Sequence, residues 1–207
     1  DGDFRPLVEA VQRKGVKAHG LRLHEGALVI PLRDGAELHS LQTISPEGEK
    51  LFLPGGRVKG CYFSIGKPDG VLCIAEGYST GASVFESTGY AVAVAFNAGN
   101  LEAVAKIMRE KFPQARIVIA GDNDKSGTGQ KKAEEAARAV GALLAIPAEE
   151  GKDFNDLHRE RGAEVVKAAI DAAQTPAANE RGEHTGDYSV RLTRGSDLKP
   201  EPIKWLW

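Results

Sequence analysis

The sequence predicts an α/β fold in two parts: a parallel sheet with helices on both faces, preceded by a small α+β subdomain with antiparallel strands. Two patterns lead to this prediction. Up to about residue 70, short apolar runs alternate with turn residues, which is typical of antiparallel strands. Beyond that point, continuous apolar runs alternate with helical segments, which indicates a parallel sheet buried on both faces. The length of 207 residues is enough for such a core.

The N-terminal subdomain is predicted to span residues 1–70. It begins with a helical pattern that ends near Gly15. Four runs then follow that we interpret as strands of one antiparallel sheet: ALVIPL, ELHSLQTI, KLFLP and GCYFSIG. Turn residues separate the first three runs, an Asp-Gly pair at 34–35 and a Pro-Glu-Gly triplet at 46–48.

The second domain is predicted over residues 71–174, where four strands alternate with helices. The strands are VLCIA (71–75), YAVAVAF (90–96), RIVIA (116–120) and GALLAIP (141–147). The helices are STGASVFEST, a segment from Leu101 capped by Asn100, and segments near residues 129–140 and 162–174. Residues 175–207 turn polar and then close on EPIKWLW, so we expect a linker and the start of a truncated further domain.

Charge and cysteine content exclude several classes of protein. The net charge is −2, which does not fit a uniformly basic nucleic-acid coat protein, and residues 71–174 carry twelve Lys or Arg against fifteen Asp or Glu. The two cysteines, Cys61 and Cys73, do not have the spacing of a zinc ribbon and are expected to be buried and reduced. The sequence shows no signal peptide or membrane-spanning run, which predicts a cytoplasmic protein.

Acidic residues follow three of the predicted parallel strands. Glu76 comes after the first, Asp122 and Asp124 after the third, and the segment GKDFND, with Asp153 and Asp156, after the fourth. Ligands of open parallel sheets bind beyond the carboxyl ends of the strands, so we expect these acids to converge on one edge. Two carboxylates ~6 Å apart repel by roughly 3 kcal/mol at an effective dielectric constant of about 20. A divalent cation such as Mg²⁺ would offset that repulsion.

Other interpretations of these acids remain open. An Asp-x-Asp sequence often caps the next helix or forms an Asx-turn, and GKDFND could begin a short helix. The loop GDNDKSGTGQK is not a phosphate-binding P-loop, because Thr128 occupies the position of the required lysine. The order of the three acidic segments on successive strand ends favours a functional site over the separate structural roles.

Three segments resemble the Toprim domain, the Rossmann-like catalytic fold shared by bacterial-type primases, topoisomerases and some nucleases. They are IAEGYSTGAS, IAGDNDKSGTGQKKAEEAA and GKDFNDL, and the resemblance covers about residues 71–173. The upstream QTISPEGEKLFLPGGRVKGCYFSIG resembles the segment before Toprim in primase-helicases of phages, plasmids and other mobile elements. The final EPIKWLW resembles the lead-in to the helicase-like ATPase domain of those proteins.

This resemblance implies a DNA primase catalytic core: a metal-dependent nucleotidyltransferase of the DNA-directed RNA polymerase type, which makes replication primers on single-stranded DNA from nucleoside triphosphates. Glu76, Asp122 and Asp124 would be catalytic, and together with Asp153 they would bind Mg²⁺ or Mn²⁺, with two ions expected. The resemblance also implies a helicase-like ATPase domain in the full-length chain and no membrane partner. Two positions depart from the family. Thr80 stands where bacterial primases have an aspartate, and Asn155 replaces a further acid, which leaves Asp156 as a displaced substitute.

Four basic residues are candidates for binding nucleic acid or nucleotide: Arg57, Lys59, Lys67 and Lys125. The first two lie on a glycine-rich turn that would let the backbone approach a phosphate. Tyr62 and Phe63 could stack on bases or pack in the core, and Tyr78 is expected to pack in the core.

Four alternative functions remain. A Toprim-type nuclease and a non-catalytic Toprim module that binds nucleic acid share the predicted fold. A phosphoacceptor regulatory domain and a haloacid-dehalogenase-type phosphatase are less favoured, because both place an acidic pair after their first strand. Here the pair Asp122 and Asp124 follows the third predicted parallel strand.

Overall fold

The computed structural model describes residues 14–177, and within this range it contains two β-sheets and five α-helices. The predicted helix at the N-terminus falls largely outside the described residues, as do the predicted linker and further domain beyond residue 177. No helix in the described range combines the length and the apolar character needed to cross a membrane.

The first sheet is antiparallel and has the strand order β1-β2-β3-β4. Its strands are β1 (Arg22–His24), β2 (Ala27–Asp34), β3 (Glu37–Ile44) and β4 (Lys50–Phe52). The sequence did not predict β1, which is only three residues long. One face is buried by Ile30 and Leu32, whereas Leu51 on the opposite face is 56% exposed.

The second sheet has the order β5-β7-β6-β8-β9. Its strands are β5 (Phe63–Ile65), β6 (Val71–Ala75), β7 (Ala91–Val94), β8 (Arg116–Ala120) and β9 (Leu143–Ala145). Strands β6 to β9 are parallel, and β5 pairs antiparallel with β7, with Phe63 opposite Val94. The assignment of GCYFSIG to the antiparallel sheet was therefore wrong for β5, although Tyr62, just before it, makes an isolated antiparallel bridge to Arg33 of β2. The alternating burial of β5 shows which face of the strand is covered, but this pattern does not determine which sheet the strand joins.

Helices cover both faces of the second sheet, as predicted. The helices are α1 (Tyr78–Thr88), α2 (Leu101–Lys111), α3 (Thr128–Val140), α4 (Phe154–Arg161) and α5 (Ala163–Asp171). Cys73 and Val118 contribute to a core with α1, α4, α5 and the first sheet. Leu72 and Ile74 point to the other face and pack against α2 and α3. Because successive residues of each strand enter different cores, the strands are apolar throughout.

Two local predictions need correction. Asn100 precedes α2, but its side chain does not cap the helix. Its side-chain amide donates hydrogen bonds to the carbonyls of Ala95 and Cys61 and accepts one from the N–H of Gly60 at 2.7 Å. The segment GKDFND begins α4, a helix that we had considered only as an alternative.

The strand order places a topological switch point beside β6. From β6 the chain crosses to β7 on one side and then to β8 on the other. In such sheets the loops at the carboxyl ends diverge between the two central strands and leave a crevice. Glu76 directly follows β6, and Asp122 follows β8 after one glycine, so the two acids lie on opposite sides of this crevice.

Candidate active site

Glu76 and Asp122 are the two acids closest to the switch point, because the residues Ala75 and Ala120 that end their strands are paired in register. Burial raises the pKa of Asp122 to about 7, with further contributions from the negative charges of Glu76 and Asp153. Burial also raises the pKa of Glu76, against the effect of the Ala98 backbone N–H, which faces its carboxylate. The two carboxylates therefore lie in one region of negative electrostatic potential at the edge of the sheet.

Asp124 is in a different environment although it is only two residues from Asp122. Its carboxylate accepts hydrogen bonds from the hydroxyl and backbone N–H of Ser126 and from the N–H of Gly129, in the first turn of α3. These bonds lower its pKa. A Cβ on residue 129 would lie 2.5 Å from Asp124 Oδ2, so a glycine is required there. The N-cap of α3 is Gly127, but Asp124 makes the Asx-turn that was the structural alternative, together with a bond to the first turn of the helix. Asp122 Oδ1, by contrast, has no hydrogen-bond partner among the described residues.

Asp153 is the N-cap of α4 and also faces the first helix. Its Oδ1 accepts a hydrogen bond from the N–H of Asp156 at 2.8 Å, and its Oδ2 accepts one from the Thr80 hydroxyl at 3.3 Å. The carboxylate of Asp156 closes the capping box. Asn155 points away from the acids and donates to the Lys14 carbonyl and the Ser83 hydroxyl. Of the three residues, Asp153 is the one whose charge acts on Glu76 and Asp122.

The acidic residues at this edge of the sheet are candidate ligands of a divalent cation. In the range 14–177, no three His, Cys, Asp or Glu side chains lie close enough together to form a ready ligand shell. The donor chemistry nevertheless fits a hard cation. Asp122 Oδ1 is buried and has no hydrogen-bond partner among the described residues, and the neighbouring negative charges destabilise its ionised form. A cation beside Asp122 would satisfy this oxygen and offset the repulsion.

Comparison with known proteins gives the family of the second domain. The sequence profile of the Toprim domain matches residues 71–164. Residues 71–164 are therefore similar to Toprim domains, and we call this part of the chain the Toprim domain. The predicted resemblance is confirmed over this range, and the α/β prediction is confirmed by the two sheets.

Relatives of the chain match more of its residues than the Toprim profile does. Two proteins of Escherichia coli, both named DNA primase TraC, are 38% identical over 149 residues and 37% identical over 153 residues. The matches cover 62% and 66% of this chain. They cover only 14% and 11% of the relatives, so the chain spans a small part of their length.

Two solved structures have the same fold. The primase fragment of the bacteriophage T7 primase-helicase protein has a TM-score of 0.60 at 20% sequence identity. The match covers 78% of this chain and 73% of the T7 chain. A DnaG primase catalytic domain bound to single-stranded DNA has a TM-score of 0.52 at 16% sequence identity. This match covers 81% of this chain and 60% of the DnaG chain. At sequence identities as low as these, the similarity shows only that the chains share a fold.

Lys50 is a site residue that the sequence analysis missed. It begins β4 in the first sheet, yet its Nζ lies 4.0 Å from where a Cβ on Gly77 would be, next to the Toprim glutamate. Its positive charge lowers the pKa of both Glu76 and Asp122. No local pattern distinguishes this lysine, because its contact with the acids depends on how the two sheets pack.

A cleft of about 380 Å³ lies beside Lys50, between the first sheet and the Toprim domain. Three basic residues line it, Lys14, Lys50 and Arg159, and we call it the basic cleft. Leu28, Ile44 and Tyr78 form apolar parts of its wall. A cleft that combines positive charge with apolar surface is suited to a ligand that has phosphates and a base.

The predicted basic residues are not gathered at one place. Arg57 forms an ion pair with Asp34 at 3.1 Å, and Lys59 lies exposed on the same turn. Lys125 is exposed in the loop after β8, at the edge that carries the acids. Lys67 follows β5, which runs opposite to the parallel strands, with Ile65 beside Val92. The structure therefore places Lys67 at the other edge of the sheet.

The aromatic residues near these strands belong to the core. Tyr62 and Phe63 are both 9% exposed, and the Tyr62 hydroxyl accepts a hydrogen bond from Lys111. Both rings are packed in the hydrophobic cores, which favours the packing interpretation over base stacking. The packing role of Tyr78 is confirmed, since it is buried and its hydroxyl donates to the Lys17 carbonyl at 2.8 Å.

Proposed function

We propose that this chain is the catalytic core of a DNA primase, a nucleotidyltransferase that joins nucleoside triphosphates into short primers on single-stranded DNA. The observation that carries the proposal is the convergence of Glu76 and Asp122 on the switch point of a Toprim domain. The proteins named DNA primase TraC support it, because their similarity includes residues outside the Toprim domain as well.

We infer that Glu76 and Asp122 hold divalent ions, Mg²⁺ or Mn²⁺, with Asp124 and Asp153 as further ligands. Asp124 Oδ1 accepts two hydrogen bonds, but Asp124 Oδ2 accepts only one and keeps a second lone pair for an ion. The two carboxylate oxygens of Asp153 also accept one hydrogen bond each. Two ions held by these residues would supply the charge neutralisation that phosphoryl transfer requires at the attacking and leaving oxygens. The residues of the chain position the reacting groups rather than form a covalent bond with them.

Glu76 has the environment of a general base or acid. Burial raises its pKa towards neutral pH, and the Ala98 N–H and Lys50 keep the charged form accessible. In the proposed reaction it accepts the proton of the attacking hydroxyl group. The same residue could act as a metal ligand, and the two roles are separated by the pH dependence of the Glu76→Gln variant.

The substrates are assigned to the basic surfaces. The basic cleft, with Lys14, Lys50 and Arg159, is the proposed site for phosphates of the nucleotide or template. Lys50 connects the cleft with the acids, because its charge acts on both Glu76 and Asp122. Arg57, Lys59 and Lys125 remain candidates for contacts with the template. We assign no role at the acids to Lys67, which lies at the opposite edge of the sheet.

The cellular setting follows from the same proposal. The T7 structure is a primase fragment of a primase-helicase, and its fold supports our prediction of a helicase-like ATPase domain elsewhere in the full-length chain. Primer synthesis for replication implies a cytoplasmic protein.

The proposal is tested by primer synthesis with labelled nucleoside triphosphates and Mn²⁺ on mixed-sequence single-stranded DNA. We expect Asp122→Asn to lower the rate by at least about a hundredfold, because metal-assisted phosphoryl transfer depends on the charge of the site. Asp69→Asn, at an exposed residue away from the acids, is the matched control and should retain full activity. Circular dichroism establishes that each variant is folded.

Two outcomes would contradict the proposal. The double variant Asp122→Asn and Asp124→Asn should be inactive, and full synthesis by this variant would rule out a metal site at these residues. A parallel incubation of labelled DNA with Mn²⁺ but without nucleotides tests for a nuclease. Shortened DNA in that incubation, with no primers in the first, would identify the Toprim domain as a nuclease instead.

A further inference from the structure

Phe96 has an unusual backbone conformation directly after β7. Its φ is 73°, and it is one of two non-glycine residues in the range 14–177 with a positive φ. This left-handed region is unfavourable for a residue with a Cβ, and a bulky aromatic residue there indicates that its surroundings impose the conformation. Such residues are found in turns and at functional sites.

The residues on either side of Phe96 hold the end of β6. The Ala95 N–H donates a hydrogen bond to the Ala75 carbonyl at 2.8 Å, one residue before Glu76. The Ala95 carbonyl accepts a hydrogen bond from the Asn100 side chain at 2.8 Å. Two residues after Phe96, the Ala98 N–H faces the Glu76 carboxylate. The segment from Ala95 to Ala98 therefore contacts both Ala75 and Glu76, and Phe96 sets the direction of the chain between these contacts.

The ring of Phe96 explains why the unfavourable conformation persists. Phe96 is only 7% exposed and belongs to the core between the two sheets. Its ring lies edge-on to the ring of Phe52, with 6.3 Å between the ring centres. Phe52 is on β4, the strand that also carries Lys50. A change of φ to a negative value would withdraw the ring from Phe52 and rotate the following peptide groups away from Glu76.

We propose that Phe96 is a positioning residue for Glu76. Its left-handed backbone, held by the ring contact with Phe52, directs the Ala98 N–H at the Glu76 carboxylate and fixes that carboxylate at the switch point. The effect on primer synthesis rests on the proposed function, but the positioning of Glu76 does not. The contact with Phe52 also links the strand of Lys50 to the position of Glu76, so both charged residues depend on the same pair of rings.

Comparison of Phe96→Ala with Phe96→Gly tests the proposal. Both variants lose the ring, but only glycine adopts a positive φ without strain. We expect the Ala98 amide hydrogen to exchange about tenfold faster in Phe96→Ala than in Phe96→Gly, since the left-handed conformation is disfavoured by about that factor when a Cβ is present. Mn²⁺ affinity measured by calorimetry should follow the same order, with Phe96→Gly closer to the wild type.

A role in packing alone predicts the opposite order, because alanine fills more space and restricts the unfolded chain more than glycine. Phe63, equally buried in β5, is the matched control, and there the alanine variant should be the more stable of the two. Equal or slower exchange of the Ala98 amide in Phe96→Ala than in Phe96→Gly would overturn the proposal.

Phe52→Leu provides an independent test, because it removes the ring contact while residue 96 remains a phenylalanine. We expect faster exchange at Ala98 than in the wild type, and exchange at the wild-type rate would overturn the role of the ring. Hydrogen exchange and Mn²⁺ affinity do not require primer synthesis. If the wild type makes no primers, the proposed function fails while these measurements still decide the role of Phe96.

Discussion

The two sheets differ in how much of their surface is buried, and the candidate site uses both. Strands β6 to β8 are buried on both faces, with Ile74 and Val118 completely inaccessible in opposite cores. In the first sheet, Ile30 and Leu32 on one face are completely buried, whereas Leu51 and Leu53 on the other face are more than half exposed. The second sheet is thus the framework of the fold, and the first sheet lies against one side of it.

This difference divides the charged residues of the site into two groups. The acids follow strands of the doubly buried sheet, whose ends are fixed by cores on both faces. Lys50 belongs to β4, a three-residue strand at the edge of the first sheet. The acids, which repel one another, thus follow strands of the sheet that is buried on both faces. Lys50, whose positive charge acts on them, lies on the more exposed sheet.

The largest effect that would distinguish the sheets is on stability. Ile74→Ala should lower the free energy of unfolding by about 2 to 5 kcal/mol, because it leaves a cavity in a core closed on all sides. Leu51→Ala, the matched truncation on the open face of the first sheet, should change it by less than about 0.5 kcal/mol. Urea unfolding followed by circular dichroism measures both.

The result for Leu51 is the sensitive part of this comparison. A loss of 2 kcal/mol or more, on the scale of a core truncation, would mean that the outer face of the first sheet is covered in solution, by a second copy or by another part of the full-length protein. The contrast between the two sheets would then hold only for residues 14–177 taken by themselves.

The doubly buried sheet is also the part of the fold that the sequence predicted best. The bounds of β6 and β8 agree with the predicted strands, because an unbroken apolar run that ends at a turn leaves few alternatives. The run has five residues in β6 and four in β8, where it follows Arg116. The assignment of β5 failed because a strand with one buried face can join either of two sheets. Helix α4 was left open because capping residues such as Asp153 are the same residue types that bind metals.

The site was predictable to a similar degree. Strand order along the chain was enough to place Glu76, Asp122 and Asp153 within one negative field, since carboxyl ends of parallel strands share an edge. The sequence could not separate Asp122 from Asp124, because their difference depends on where the N–H groups of residues 126 and 129 point. Lys50 was unpredictable, because its contact arises from packing between sheets.

The second prediction compares the two aspartates of the loop. The pKa of Asp122 is raised from 3.8 to about 7, so the folded state binds the extra proton and wild-type stability falls as the pH rises between these values. Asp122→Asn removes this charge. We expect the variant to be more stable than the wild type by about 1 to 3 kcal/mol at pH 8 and to show little gain at pH 4. Thermal unfolding across this pH range provides the measurement.

Asp124→Asn is the control and should have the opposite sign. The hydrogen bonds from Ser126 and Gly129 lower the pKa of Asp124, so its charge stabilises the fold above the unfolded pKa and this stabilisation is lost as the pH falls. The variant should therefore be less stable than the wild type at pH 8. Equal effects of the two substitutions would show that the difference between Asp122 and Asp124 does not exist in solution.

The smallest effect concerns Lys50 and tests whether the first sheet contributes to the site. Its charge acts on Glu76 and Asp122 and competes with a bound cation, so Lys50→Ala should tighten Mn²⁺ binding by a few-fold, as expected for charges separated by several ångströms of partly hydrated protein. Lys106→Ala, at an exposed lysine paired with Glu102 on α2, is the control and should leave the affinity unchanged. The difference between the variants should shrink as salt is added, because screening weakens only the interaction that depends on charge. Calorimetric titration at low and high salt measures the Mn²⁺ affinity of both variants. Equal affinities at both salt concentrations would show that Lys50 does not contribute to the site, which would then consist only of residues that follow the second sheet.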